Sequence, residues 1–295
     1  MGIRGIAARA ALAFAFACVA TWPVLAAQAA RHVDGLVYAV VDGEPFALDL
    51  HLPAGDAPAP LVVYLHGGAW SAGNRTGYPA FLVEQGFAVA SVDFRSTDVA
   101  PFPANVHDIK AAIRYLRARA DQLGIRGERI VVSGASSEAH LAALVGVTGG
   151  VAQLEGTVGD HLQVSSAVQA IVSWFGASDL TTILAQSTPF GLGVREPALR
   201  RLLGGTPDER PELARLASPV FHVDATDPPL LLLHGDQDRQ MPINQLHELL
   251  AAYERAGARV DSLVLDGVGH DTAPFYSGVA AARVVGFLRP FFLAR

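Results

Sequence analysis

Residues 130–144 read Ile-Val-Val-Ser-Gly-Ala-Ser-Ser-Glu-Ala-His-Leu-Ala-Ala-Leu. An apolar, β-branched run ends in Gly134-Ala135-Ser136, and a helix-forming run follows at once. The pattern predicts a strand, a sharp turn and a helix, with Ser136 at the apex. Such a turn lifts a hydroxyl clear of the sheet, and the helix start directs free backbone N–H groups towards it. That is what a nucleophilic serine requires. Ser133 falls within the strand and Ser137 past the apex, so Ser137 is better cast as a backbone N–H donor. The plain alternative is that Ser136 only caps the helix. The usual pattern is Gly-x-Ser-x-Gly; here Glu138 stands in the place of the last glycine.

Working outward, the chain alternates strand and helix signals. Leu36–Val41 and Phe46–Leu52 read as paired strands around Asp42-Gly43-Glu44-Pro45. Leu61–Leu65 is a continuous apolar run of the kind buried on both faces of a parallel sheet, Phe87–Phe94 reads as the next strand, Ala170–Phe175 and Leu230–His234 as further buried strands, and Val260–Leu265 as the last. Helices are expected over 78–85, 105–123, 137–147, 243–256 and 280–293, three of them stopped by Gly86, Gly124 and Gly257. The expectation is an α/β protein: a doubly wound, mostly parallel sheet of about eight strands with flanking helices. Segments 148–168 and 180–227 fall outside the alternation and are rich in Gly, Pro and polar residues. Both are expected to form a small cap over the carboxyl edge of the sheet, where such folds bind ligands.

Three further motifs follow strands. His66-Gly67-Gly68-Ala69-Trp70 comes directly after Leu61–Leu65. Its glycines let backbone approach a ligand closely, and the N–H groups of Gly68 and Ala69 are candidates to hold a developing oxyanion. His234-Gly235-Asp236-Gln237-Asp238 closes one strand, and Gly267-Val268-Gly269-His270-Asp271 follows the last. A serine, an acid and a histidine in that order, each after a strand, converge on one edge of the sheet. Both Asp236 and Asp238 are in place to be the acid.

With these motifs, the chain resembles the esterase/lipase branch of the α/β-hydrolase superfamily that carries a His-Gly-Gly-x-Trp oxyanion motif. That branch is related to the hormone-sensitive-lipase-like and bacterial feruloyl-esterase-like groups. The likeness spans roughly residues 34–293 and includes Asp93-Phe94-Arg95, Asp108-Ile109-Lys110-Ala111-Ala112 and Trp174-Phe175-Gly176-Ala177-Ser178-Asp179-Leu180. It implies an α/β-hydrolase fold, a triad of Ser136, Asp238 and His270, and an oxyanion hole from Gly68, Ala69 and Ser137. Asp238 is then the acid, ahead of Asp236 and Asp179. The implied activity is a serine carboxylesterase working through an acyl-enzyme on small-to-medium acyl esters, with no metal or other cofactor. An amide hydrolase, such as a formamidase, or a peptidase could use the same fold. Glu138 is the departure: a carboxylate facing the hole would oppose an oxyanion and raise the pKa of His270, leaving a weakened hydrolase that only binds.

The bulk numbers fit one domain over residues 30–295. The 295 residues are 51% hydrophobic and 17% charged, enough for a large core. Net charge is −6 with no basic block, which argues against nucleic acid as a partner and leaves a small-molecule ester. Residues 1–29 read as a secretory signal peptide: Arg4 and Arg9 precede an apolar run, and Val24-Leu25-Ala26 or Ala27-Gln28-Ala29 offers a cleavage site. An uncleaved anchor is the alternative. Cleavage would leave no membrane insertion, remove the lone Cys18, and place the protein in the periplasm or outside the cell. The sequence leaves the oligomeric state open.

Overall fold

A computed structural model describes residue 2 and residues 29–293. The signal-peptide reading, Cys18 included, thus falls almost wholly outside the described residues. Eight strands form one sheet: β1 Arg31–Val41, β2 Glu44–Leu52, β3 Ala59–Leu65, β4 Ala88–Val92, β5 Ile125–Ala135, β6 Ala170–Trp174, β7 Leu230–Gly235 and β8 Val260–Leu265. Their order is β1-β2-β4-β3-β5-β6-β7-β8. The β1–β2 and β2–β4 pairs are antiparallel, and all later pairs are parallel. This is the mostly parallel, helix-flanked sheet that the alternation predicts.

Period-two alternation divides the core. In β3, Leu61, Val63 and Leu65 enter one hydrophobic cluster, while Val62 and Tyr64 enter the other. Both faces are covered by helices, so Leu61–Leu65 of β3 is buried throughout and reads as a continuous apolar run. The helix Ala104–Ala118 lays Val106, Ile109, Ile113 and Leu116 on the first cluster at helical spacing. On the other face, Gly278–Leu293 contributes Ala280, Val284, Leu288 and Phe292. The β1–β2 hairpin turns through Asp42 and Gly43, both at positive φ (53° and 86°), which suits a tight primed turn.

Several boundaries differ from the sequence reading, among them those of one helix and one strand. The helix expected over 105–123 breaks at Arg119 and resumes only as Ala120–Leu123. Strand β5 begins at Ile125 rather than Ile130, because Ile125 pairs with Ala59. Such pairings are long-range and leave no local periodicity.

The two expected cap segments part company. Residues 180–227 follow β6 and meet the carboxyl-edge loops: Arg195 bonds to the Gln240 carbonyl and Thr188 to the Arg239 carbonyl. Residues 148–168 contribute nothing to the lining of the cavity beside Ser136. They run along the helix Ala104–Ala118, whose Lys110 binds the Thr148 carbonyl and Glu155, whose Arg114 binds the Val158 carbonyl, and whose Arg117 reaches the Ala167 carbonyl. The reason is topological. The helix Ser137–Val147 carries the chain back to the amino edge, where β6 must start.

Candidate active site

Ser136, Asp238, His270 and the His66–Trp70 loop all follow the carboxyl ends of parallel strands: β5, β7, β8 and β3 respectively. The sheet therefore delivers them to one edge. Ser136 sits at φ 59°, ψ −128°, a strained turn between β5 and the helix Ser137–Val147. Its N–H donates to the Trp174 carbonyl at 2.9 Å, which anchors the turn to β6. The strand and helix approach so closely that a Cβ on Gly134 would lie 2.3 Å from the Glu138 carbonyl oxygen. Glycine is needed at 134, not at 138.

Ser136 Oγ lies 2.8 Å from His270 Nε2, and His270 Nδ1 lies 2.6 Å from Asp238 Oδ2. Asp238 Oδ1 accepts the N–H groups of Gln240 and Met241 at 2.9 and 2.8 Å. The Asp238 side chain is fully buried. Burial alone would raise its carboxyl, but hydrogen bonds from His234, His270 and the Met241 N–H outweigh it and hold the group well below the usual carboxylate range. An ionised Asp238 fixes Nδ1–H on His270 and leaves Nε2 as the acceptor for the serine proton. Asp236 does not join this chain: it is exposed and accepts the Gly267 N–H. Asp179 bonds locally to Thr181. His270 also packs edge-on against Phe175, centroids 4.8 Å apart.

The His66–Trp70 loop faces Ser136 across a cavity of about 670 Å³, lined among others by Gly68, Ala69, Ser136 and His270. The Gly68 carbonyl accepts from the Ser71 and Ala72 N–H groups, a turn so tight that a Cβ on Gly68 would lie 1.9 Å from the Ala72 oxygen. Ala69 and Trp70 are both non-glycine residues at positive φ, 52° and 60°. Ser137 is the first residue of its helix, where a backbone N–H has no intrahelical partner. Gly68 and Ala69 line the cavity with Ser136, and Ser137 follows the serine directly. The rest of the lining mixes polar Asn74, Thr76, Gln240, Asp271 and Thr272 with Tyr64, Ala72, Ala135 and Phe175.

Glu138 is wholly buried and is not part of that lining. Its Oε1 accepts the Trp70 N–H at 3.0 Å, and Oε2 lies 2.6 Å from Ser137 Oγ. Burial pushes its carboxyl up to about 8, against the hydrogen bonds from Ser137 and from the Trp70 and Gly68 N–H groups. No hydrogen bond joins it to His270 among the described residues. The group that raised doubt about the site is thus near-neutral and behind the loop.

Three participants were not legible beforehand. His234 lies 3.5 Å from Asp238 Oδ2 and also bonds to the Met241 carbonyl at 3.1 Å; its spacing of four from Asp238 was the available signal. His140 accepts the Trp70 indole N–H at Nδ1 (3.2 Å) and so donates from Nε2 to the Ala217 carbonyl (2.6 Å). Since indole can only donate, this His140 is neutral, and burial lowers it to about 4. Arg195, from the segment after β6, is buried 5.6 Å over the Trp70 ring. Burial lowers it to about 10, with Asp238 and Glu138 opposing. Away from the site, His32, Asp34 and Asp49 form the one group with metal-ligand spacing among the described residues, but the Arg75 guanidinium already sits on Asp49 at 2.8 Å.

Among known proteins the chain is similar to esterases. Esterase LipC of Mycobacterium tuberculosis is 34% identical over 220 residues, 72% of this chain and 53% of its own length. The chain spans about half the length of the curated relatives it matches. A truncated carbohydrate esterase from gut microbiota superposes with a TM-score of 0.80 at 31% identity, covering 90% of this chain and 97% of that one. The propionate-bound esterase Est2 of Thermogutta terrifontis superposes with a TM-score of 0.66 at 26% identity, covering 90% and 93%. The BD-FAE family model matches residues 48–253. With that match over most of the chain, on this sheet and this site, the protein belongs to the BD-FAE family of α/β-hydrolase esterases.

Proposed function

We propose that the protein is an exported serine carboxylesterase that removes small-to-medium acyl groups from polar, carbohydrate-type alcohols. The observation that carries the reading is the hydrogen-bonded chain from Ser136 Oγ through His270 to Asp238. His270 Nε2 takes the Ser136 proton as Oγ adds to the ester carbonyl. The N–H groups of Ala69 and Ser137 receive the resulting oxyanion, the Gly68 N–H being directed at the Glu138 carboxyl. Collapse breaks the bond to the alcohol, which leaves with the proton from His270, and Ser136 stays acylated. Water, deprotonated by His270, then releases the carboxylic acid and restores the serine. Asp238 stays ionised throughout and stabilises the imidazolium.

Two features support the substrate class. The cavity lining includes amide, hydroxyl and carboxylate side chains of Gln240, Asn74, Thr76, Thr272 and Asp271, which can hydrogen-bond to a hydroxyl-rich alcohol. Among similar proteins, one is named a carbohydrate esterase and another is bound to propionate. Export rests on the Arg4–Ala29 leader pattern alone. The test is hydrolysis of p-nitrophenyl acetate, p-nitrophenyl butyrate and an acetylated xylo-oligosaccharide, with Ser136→Ala alongside. Activity on the short esters and the acetylated sugar that vanishes in Ser136→Ala is expected. No turnover above the Ser136→Ala background, in folded protein, would overturn the reading and turn attention to amide substrates.

A further inference from the structure

Glu138 occupies the one position where the elbow departs from its usual sequence, and it bonds to both segments that carry the cavity-facing N–H groups. Oε1 takes the Trp70 N–H, at the end of the His66–Trp70 loop. Oε2 pairs with Ser137 Oγ, on the residue directly after the nucleophile. The neutral acid keeps both contacts, since one oxygen still accepts and the other shares a proton with the serine hydroxyl.

The loop needs such a tie. Ala69 and Trp70 hold consecutive left-handed conformations, which non-glycine residues keep only when their surroundings enforce them. Trp70 is where the enforcement acts. Its indole N–H bonds to His140, its carbonyl accepts the Thr97 N–H at 2.9 Å, and its backbone N–H goes to Glu138. Among the described residues no hydrogen bond engages the N–H of Ala69, the residue before, and Ala69 lines the cavity with Ser136. Releasing Trp70 frees the peptide that aims Ala69.

We propose that Glu138 is a positioning residue: its carboxyl pins Trp70 to the elbow and thereby holds the loop with the Ala69 N–H turned towards Ser136. The effect on turnover rests on the esterase reading above; the effect on the loop does not. It also gives the glycine-to-glutamate departure a role. A glycine at 138 has no side chain to reach Trp70, so a chain with the strained Ala69-Trp70 pair needs an acceptor from elsewhere.

The experiment compares wild type, Glu138→Met and Glu138→Gln. Methionine fills similar space without an acceptor; glutamine keeps the acceptor without the charge. Hydrogen–deuterium exchange of the 66–73 peptide is measured together with kcat and KM on p-nitrophenyl acetate. In Glu138→Met the Trp70 amide should exchange at least about tenfold faster, and kcat should fall about 10–100-fold with KM nearly unchanged, as for loss of an oxyanion donor. Glu138→Gln should return both towards wild type. Glu138→Gly is a second acceptor-free variant should the methionine chain not fold. Wild-type exchange and kcat in the acceptor-free variants, or a loss that glutamine does not rescue, would overturn the proposal. If the wild type hydrolyses nothing beyond Ser136→Ala, the esterase reading fails, and unchanged exchange at Trp70 would still separately refute the tie.

Discussion

Replacing Glu138 by glutamine should change how stability depends on pH, and the size follows from the structure. Burial raises the Glu138 carboxyl from 4.5 to about 8 in the folded chain. Between those values the folded protein keeps a proton that the unfolded chain releases. The native state therefore binds more protons, and stability falls as pH rises through the window. The slope is about 1.4 kcal/mol per pH unit, or on the order of 4 kcal/mol between pH 5 and pH 8. Glutamine has no proton to lose. Its stability relative to wild type should climb with that slope and level off above pH 8. The charged and titratable neighbours do not blur the window: His140 is already neutral above about pH 4, Arg195 stays charged to about 10, and burial raises the Tyr64 hydroxyl above its usual range. Urea unfolding of both proteins at pH 5, 6, 7 and 8 measures the difference directly. A difference that does not vary with pH would mean that Glu138 folds as an anion, stabilised by Arg195, and the neutral-acid argument would be wrong.

Other outcomes test the same architecture. Asp238→Asn keeps the shape of the site but loses the tautomer control on His270, so kcat should fall by about 10⁴ with little change in KM; near-normal turnover would remove Asp238 from the reaction. Gly68→Ala places a Cβ 1.9 Å from the Ala72 oxygen, so the turn must open and kcat should drop at least ~100-fold, as steady-state kinetics would show. Trp70→Ala empties a fully buried indole site and orphans His140. It should cost about 3–5 kcal/mol in urea unfolding. Lys110→Met breaks the buried contacts to Thr148 and Glu155 at the amino edge. It should cost about 3–5 kcal/mol while leaving kcat unchanged; a loss of turnover would mean that residues 148–168 do reach the site.

What the sequence determined is what local pattern can encode. Ile130–Ala135 followed by Ser136 and a helix former could be little other than a strand, an elbow and a helix. The apolar runs before His66, Asp238 and His270 placed each at a strand end, and parallel strands bring their carboxyl ends to one edge. Strand–helix alternation and the order of three motifs were therefore enough for the fold class and for the serine and histidine, while the choice of Asp238 over Asp236 came from the family likeness. The tertiary structure alone decided the direction of Glu138, because its partner Trp70 is 68 positions away and a buried carboxyl takes its charge state from whatever surrounds it. The same holds for Arg195 over Trp70 and His140 beneath it. The fate of residues 148–168 was likewise not in their composition. It follows from which edge the preceding helix returns to, and from the three basic side chains of a distant helix that bind the segment there.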